Sequence, residues 1–158
     1  MTASRTMRSV VHSTFLGDIC EEPASELYLP AGLPGFETER SFLPIEIPAQ
    51  RPLVFLQSTA SADVCFVCLP ISSIDKTCQP SVPEDERLIL EFDSLRELIP
   101  GEDILSLALL TPDGVSVRTN LDAPIVINLR NYRCAQILQD TRFGVRRLNE
   151  NGLWETPC

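Results

Sequence analysis

Carboxylates and cysteines are the residues of this chain whose types and spacing could do chemistry. Acids occur in adjacent groups at Glu21-Glu22, Glu84-Asp85-Glu86 and Glu102-Asp103. Such a pair could run general acid–base catalysis if both carboxyls converged in an apolar cleft with their pKa values driven apart. Adjacent acids in polar loops more simply give solvated charge. Cys65 and Cys68 stand in a C-x-x-C spacing with Cys78 ten residues on, a pattern open to metal or redox chemistry. Residues three apart in a strand point to opposite faces, and no fourth ligand is evident, so packed thiols are the favoured reading. One histidine, His12, and one lysine, Lys76, leave little for a two-His metal site, a P-loop or a Schiff base. No catalytic residue, metal ligand or cofactor is expected.

The elements that would position these groups are short. At 158 residues the chain has the length of one domain. Apolar residues make up 44% of it, which excludes intrinsic disorder on composition. No apolar stretch approaches the ~20 residues of a spanning helix. No apolar run follows Arg5 and Arg8, so a secretory signal is not expected, and the six cysteines read as reduced thiols of a cytoplasmic protein. Apolar runs at 10–16, 26–29, 41–47, 52–56, 64–69, 87–92, 104–110, 114–119, 125–129 and 134–138 are separated by turn residues. This spacing predicts a mainly β fold, an antiparallel barrel-like or sandwich single domain with one or two short helices. The 87–92 run alternates and is predicted as a strand. A short helix is predicted at Ser94-Leu95-Arg96-Glu97, a capping-box pattern ended by Pro100-Gly101. The domain is expected over residues 10–140, with 1–9 and 141–158 as less ordered terminal segments.

Charge is unevenly spread. Thirteen Lys and Arg against 22 Asp and Glu give a net charge of −9, which disfavours direct nucleic-acid binding and suits a basic protein partner. Residues 18–46 hold seven acids against Arg40, and residues 75–103 hold nine acids against three cations. Residues 130–147 run the other way, with five arginines against Asp140. Each segment could be a solvated face. The functional alternative is that the two acidic segments meet as one partner-binding surface, with Glu84, Asp85 and Glu86 the leading contributors and Glu37 and Glu39 beside them.

Three strings stand out. In Gly32-Leu33-Pro34-Gly35-Phe36-Glu37, Pro34-Gly35 suits the centre of a type II turn, with Leu33 and Phe36 as flanking anchors. Leu56-Gln57-Ser58 closes a dense apolar run. Asn120-Leu121-Asp122-Ala123-Pro124-Ile125-Val126-Ile127-Asn128 is a turn leading into a strand, where the missing N–H of Pro124 costs little.

Taken in order with Phe42-Leu43-Pro44 and Phe66-Val67, these strings resemble the flagellar assembly factor FliW family over roughly residues 12–140. Family members usually carry Asp-Pro where this chain has Leu69-Pro70, and the extra cysteines and Arg-rich end also depart from the pattern. The resemblance implies a compact β-barrel-like fold, a cytoplasmic location and no catalysis. It implies two partners, flagellin and the RNA-binding regulator CsrA. Flagellin on the factor leaves CsrA free to repress flagellin translation, and its export frees the factor to bind CsrA and relieve repression. A monomer with no direct nucleic-acid or membrane contact is expected. The alternatives are a flagellin-specific chaperone that does not bind CsrA, and a cysteine-based metal or redox protein.

Overall fold

The computed structural model describes residues 9–21, 26–92, 97–140 and 142–156. Its body is one antiparallel sheet. The strands are β1 (Ser9–Ser13), β2 (Gly17–Glu21), β3 (Leu27–Tyr28), β4 (Ser41–Ile45), β5 (Val54–Ser58) and β6 (Cys65–Pro70). They continue with β7 (Ile104–Asp113), β8 (Ser116–Asn120), β9 (Ile125–Asn128), β10 (Cys134–Gln136), β11 (Val145–Leu148) and β12 (Trp154–Glu155). One α-helix is described, α1 (Glu84–Ile89). The sheet runs β12-β11-β8-β7-β6-β5-β4-β3, with β9 on β7 and β10 on β9.

The long β7 organises this order. Its first half, from Ile104, pairs with β9, and its second half pairs with β8. The sheet curls until Tyr28 of β3 forms a parallel bridge with Arg133, just before β10. The Tyr28 N–H donates to the Tyr132 carbonyl at 3.0 Å at the same seam. A single bridge joins the ends where a ladder would be needed, so the body is barrel-like and not a closed barrel.

Every side chain of β9 is buried, because the two faces of the strand feed different cores. Ile125 and Ile127 pack inside with Phe42, Leu56, Cys68 and Leu107. Val126 points outward to Val82, Leu90, Ile104 and Ile137. A third cluster, Ile71, Cys78, Ala108 and Leu121, covers the sheet beyond it. The β1–β2 hairpin lies apart from the main sheet and docks through Thr14, whose N–H donates to the Ala62 carbonyl at 2.9 Å. Gln57 holds that loop: its side-chain amide donates to the carbonyls of Ser58 at 3.0 Å and Ser61 at 3.1 Å.

The structure corrects one element. Residues 87–92 are not a strand; they form the end of α1 and the turn after it. Three acids in the first turn suit the positive end of a helix, and Arg87 in the last turn suits the negative end. The alternation of apolar residues in this run does not separate inside from outside, since Leu90 is buried while Leu88 is 73% exposed. The helix closes with a Schellman motif, in which the Phe92 N–H donates to the Arg87 carbonyl and the Glu91 N–H to the Leu88 carbonyl. Glu91 occupies the left-handed position, at φ 60°, where glycine is usual. In the predicted helix near residue 94, Ser94, Leu95 and Arg96 lie outside the described residues, and Glu97, Leu98 and Ile99 are not helical.

Asn128 fastens α1 to the sheet. Its buried side-chain amide donates to the Leu90 carbonyl at 2.8 Å and accepts the Arg130 N–H at 3.0 Å. Asn128→Ala removes both bonds of a buried side chain and leaves the Leu90 carbonyl with the longer 3.3 Å bond from Asn131, a loss expected at about 1–3 kcal/mol. Urea unfolding is predicted to show this as a lower midpoint with an unchanged slope.

Candidate partner-binding surface

A groove of about 490 Å³ runs between the turn after β3 and α1. One wall is residues 30–34 with Glu37, the other is Glu86 and Ile89 of α1, and Leu138 stands at the rim. Among the described residues, Glu37 and Glu86 are the only carboxylates lining it, and no lysine or arginine does. Ile89 and Leu138 are 43% and 76% exposed, so apolar surface lies open beside the acids. Glu84 and Asp85 extend the negative charge along the first turn of α1. None of Glu84, Asp85 and Glu86 is paired with a described cation.

The glycine-rich wall has a tight internal structure. The Phe36 N–H donates to the Leu33 carbonyl at 2.7 Å, closing a turn whose third residue, Gly35, has φ 83°. Leu33 is buried in the main core, and Phe36 meets Phe66 edge to face with ring centroids 5.1 Å apart. Gly32 is required twice over. It has φ 63°, and a Cβ there would lie 2.6 Å from the Phe36 carbonyl oxygen. Gly35 needs its positive φ but has open space around it.

The two acids after this turn differ in what they do. The Glu37 carboxylate accepts the Gly35 N–H at 3.0 Å, which holds its pKa below the usual glutamate value. It remains exposed on the groove. Glu39 turns to the β5–β6 loop, where the hydroxyls of Ser58 and Ser61 donate to its two oxygens. Those bonds, that from Ser58 first, lower its pKa. The structure thus brings Glu37 and Glu86 to one groove, sets Glu84 and Asp85 on the adjoining helix turn, and gives Glu39 internal partners.

The remaining motif residues are scaffold. Leu56 is in the main core. The Asn120 side chain accepts the Asp122 N–H at 2.9 Å, and the Pro124 carbonyl accepts the Ile137 N–H at 2.9 Å, which aligns β10 behind the groove. The apolar groove residues Ile89 and Leu138 were not singled out from sequence. Reading 84–89 as a helix after Pro83 would have found Ile89, because it lies one turn from Glu86 on the same face.

The arginine-rich segment does not form one basic face. Arg146 reaches Asp75 at 3.1 Å, Arg147 reaches Asp113 at 3.2 Å and Arg130 reaches Asp103 at 3.5 Å. Arg133 lies over the Tyr28 ring at 5.4 Å and donates to the Ile89 carbonyl at 3.0 Å. The cysteines are dispersed as well. Cys68 is buried in the main core, and burial pushes its thiol up to about 12; Cys65 lies on the opposite face of β6 beside Phe15 and Phe55. Burial also pushes Cys134 up to about 12. Among the described residues no group of three His, Cys, Asp or Glu is placed to hold a metal ion. No described helix is long and apolar enough to cross a membrane.

Fold and site together define a small, single-domain, barrel-like antiparallel β protein with an acid-rimmed apolar groove. The family described as FliW protein matches residues 10–148, and the chain belongs to the FliW family. A relative from Pseudothermotoga lettingae is 34% identical over 145 residues, covering 88% of this chain and 87% of its own. A relative from Desulfitobacterium hafniense is 29% identical over 154 residues, covering 93% and 96%. One from Caldicellulosiruptor bescii is 26% identical over 140 residues, covering 88% and 89%. All three bear the name flagellar assembly factor FliW. A crystal structure of the flagellar assembly factor FliW superposes with a TM-score of 0.74 over 86% of this chain and 92% of that one, at 22% identity. That likeness establishes the shared fold.

Two outcomes follow. Gly32→Ala is predicted to destabilise by several kcal/mol, because backbone must move as well as adopt strain, and Gly35→Ala by about 1–2 kcal/mol from strain alone. Chemical denaturation of the two variants compares them directly. Because the folded pKa of Glu39 is lowered, its contribution to stability is present above the unfolded value, about 4.3, and is lost as pH falls through the folded one. Glu39→Gln is predicted to flatten the fall of stability with pH in that acid window.

Proposed function

We propose that this protein is a flagellar assembly factor that works by binding flagellin and the translational regulator CsrA in alternation, and that it catalyses no reaction. Flagellin held on the factor leaves CsrA free to repress flagellin translation. Once flagellin is exported, the factor binds CsrA in the cytoplasm and lifts the repression. The observation that carries this reading is membership of the FliW family over residues 10–148, nearly the whole chain.

The electrostatics support it. CsrA binds RNA, and an RNA-binding surface is rich in arginine and lysine. A partner with net charge −9 is attracted to such a protein over about a Debye length, ~8–10 Å at ordinary salt. The acids Glu84, Asp85 and Glu86 stand together and exposed to half-exposed on one helix turn, where their fields add. The contact need not cover the RNA-binding face of CsrA for repression to be relieved.

Titration of the purified protein with CsrA, with flagellin, and with both tests the reading. It predicts binding to each and displacement of CsrA by flagellin. Flagellin binding without CsrA binding would make the protein a chaperone alone, and no binding to either would end the proposal. Reversing Glu84, Asp85 and Glu86 to Lys is predicted to slow CsrA association about tenfold or more at low salt, with the difference shrinking as salt is raised.

A further inference from the structure

We propose that the β1–β2 hairpin is a detachable strap, which lifts off the outer face of β4–β6 as a unit while the barrel-like body stays folded, and so controls access to that face and to the Cys65 thiol. The device is independent of the partners proposed above.

The pleat defines the face. Along β5, Val54 and Leu56 point into the main core, so Phe55 and Gln57 point outward. Leu43 of β4 stands opposite Gln57, and Val67 and Cys65 of β6 stand opposite Phe55 and Gln57. Leu43 and Gln57 are buried, although they lie outside the barrel-like interior. The tip of the hairpin reaches this face, where Phe15 and Leu16 line a cavity with Ile47, Phe55, Cys65 and Val67.

The hairpin is built to seat one side only. Val11 pairs with Ile19 on its inner side, and Val11 is buried, while Val10, His12, Asp18 and Cys20 of the outer side are exposed. Two strands alone cannot bury a side chain, so the body covers Val11.

Its attachment is narrow. β1 and β2 form a sheet of their own, with no ladder to the main sheet. Among the described residues, the hairpin's hydrogen bonds to the body all come from Thr14. Its N–H donates to the Ala62 carbonyl and its hydroxyl to the Asp63 carboxylate. The contact is also loosely filled. The cavity at the tip measures about 560 Å³, and Phe15 remains 64% exposed beside it. Gln57, whose amide holds the landing loop, keeps a buried Oε1 with no donor among the described residues. An isolated two-stranded hairpin is marginal in water, so undocking and melting cost little more than the docking contacts themselves.

The cysteines supply an internal ruler. Cys20 is exposed on the hairpin, Cys65 lines the cavity beneath its tip, and Cys68 and Cys134 are buried in the main core. The experiment treats the folded full chain with N-ethylmaleimide, reads each thiol by peptide mass, and follows amide hydrogen exchange alongside. Cys20 is expected to react first, Cys65 next, and Cys68 and Cys134 only with global unfolding. Amides of β1 and β2 are expected to exchange about a hundredfold or more faster than those of β5 and β6. Val11→Ala is expected to speed hairpin exchange and Cys65 labelling about tenfold, leaving Cys68 and Cys134 at wild-type rates. Thr14→Val, which removes the bond to Asp63, is expected to act in the same direction and less. Asn128→Ala, which weakens the body, is expected to do the reverse, speeding Cys68 and Cys134 while hairpin exchange stays unchanged.

Hairpin amides that exchange in step with β5 and β6 would overturn the proposal. So would Val11→Ala speeding Cys65, Cys68 and Cys134 alike, since the hairpin would then be an integral part of the body. Fast hairpin exchange with Cys65 labelling unmoved by Val11→Ala would mean that the hairpin frays without uncovering the face, which also contradicts it.

Discussion

Three side-chain donors converge on the last carbonyls of a six-residue helix, and the acidic surface depends on them. Asn128 and Asn131 donate to the Leu90 carbonyl at 2.8 and 3.3 Å, and Arg133 donates to the Ile89 carbonyl at 3.0 Å. A helix this short has no independent stability in water, because the cost of nucleation exceeds what so few internal bonds return. α1 persists because its carbonyl end is bonded to the β9–β10 connection and because Val82 before it and Leu90 after it are buried. The same donors sit beside the seam where β3 meets Arg133, so curling the sheet and placing the helix are one event. The curl of the sheet, the helix and the groove are therefore coupled through a handful of polar contacts in the 128–133 turn.

That coupling explains what the sequence disclosed and what it withheld. Nine of the strands follow from apolar runs bounded by turn residues, and β9 is the clearest, since Ile125, Val126 and Ile127 are all apolar and all buried. α1 was hidden because neither end carries its usual signal. Pro83 stands at the N-cap with no side-chain hydrogen bond, and the left-handed C-terminal position is filled by Glu91 where a glycine would have announced it. The regular alternation of Leu88, Leu90 and Phe92 then mimicked a strand. β2 was missed for the opposite reason: Gly17, taken as the end of a strand, has φ 79° and turns the chain back into the next one. β11 is half arginine and carries no apolar run to notice.

The site was legible in part for the same reason. Acid clustering is visible in one dimension, so Glu37 and the acids at 84–86 could be named from composition alone. Their meeting across the groove requires the β10 segment to pass between two loops some fifty residues apart in sequence, which no local pattern records. The apolar half of the surface is harder still, since an exposed leucine such as Leu138 looks in sequence like any core residue. A Leu or Ile becomes informative only when the fold leaves it uncovered beside charge.

Family membership and geometry bear on different levels of the account. Membership in the FliW family supplies the biological setting, while the groove between residues 30–37 and α1 offers an apolar surface with Glu37 and Glu86 on its walls. Backbone amide shifts of isotope-labelled protein, recorded as CsrA is added, test the union of the two most directly. The account predicts that the perturbed amides cluster at residues 30–37, 84–91 and 134–138. Perturbations confined to β8, β11 and β12, with these segments unmoved, would contradict it.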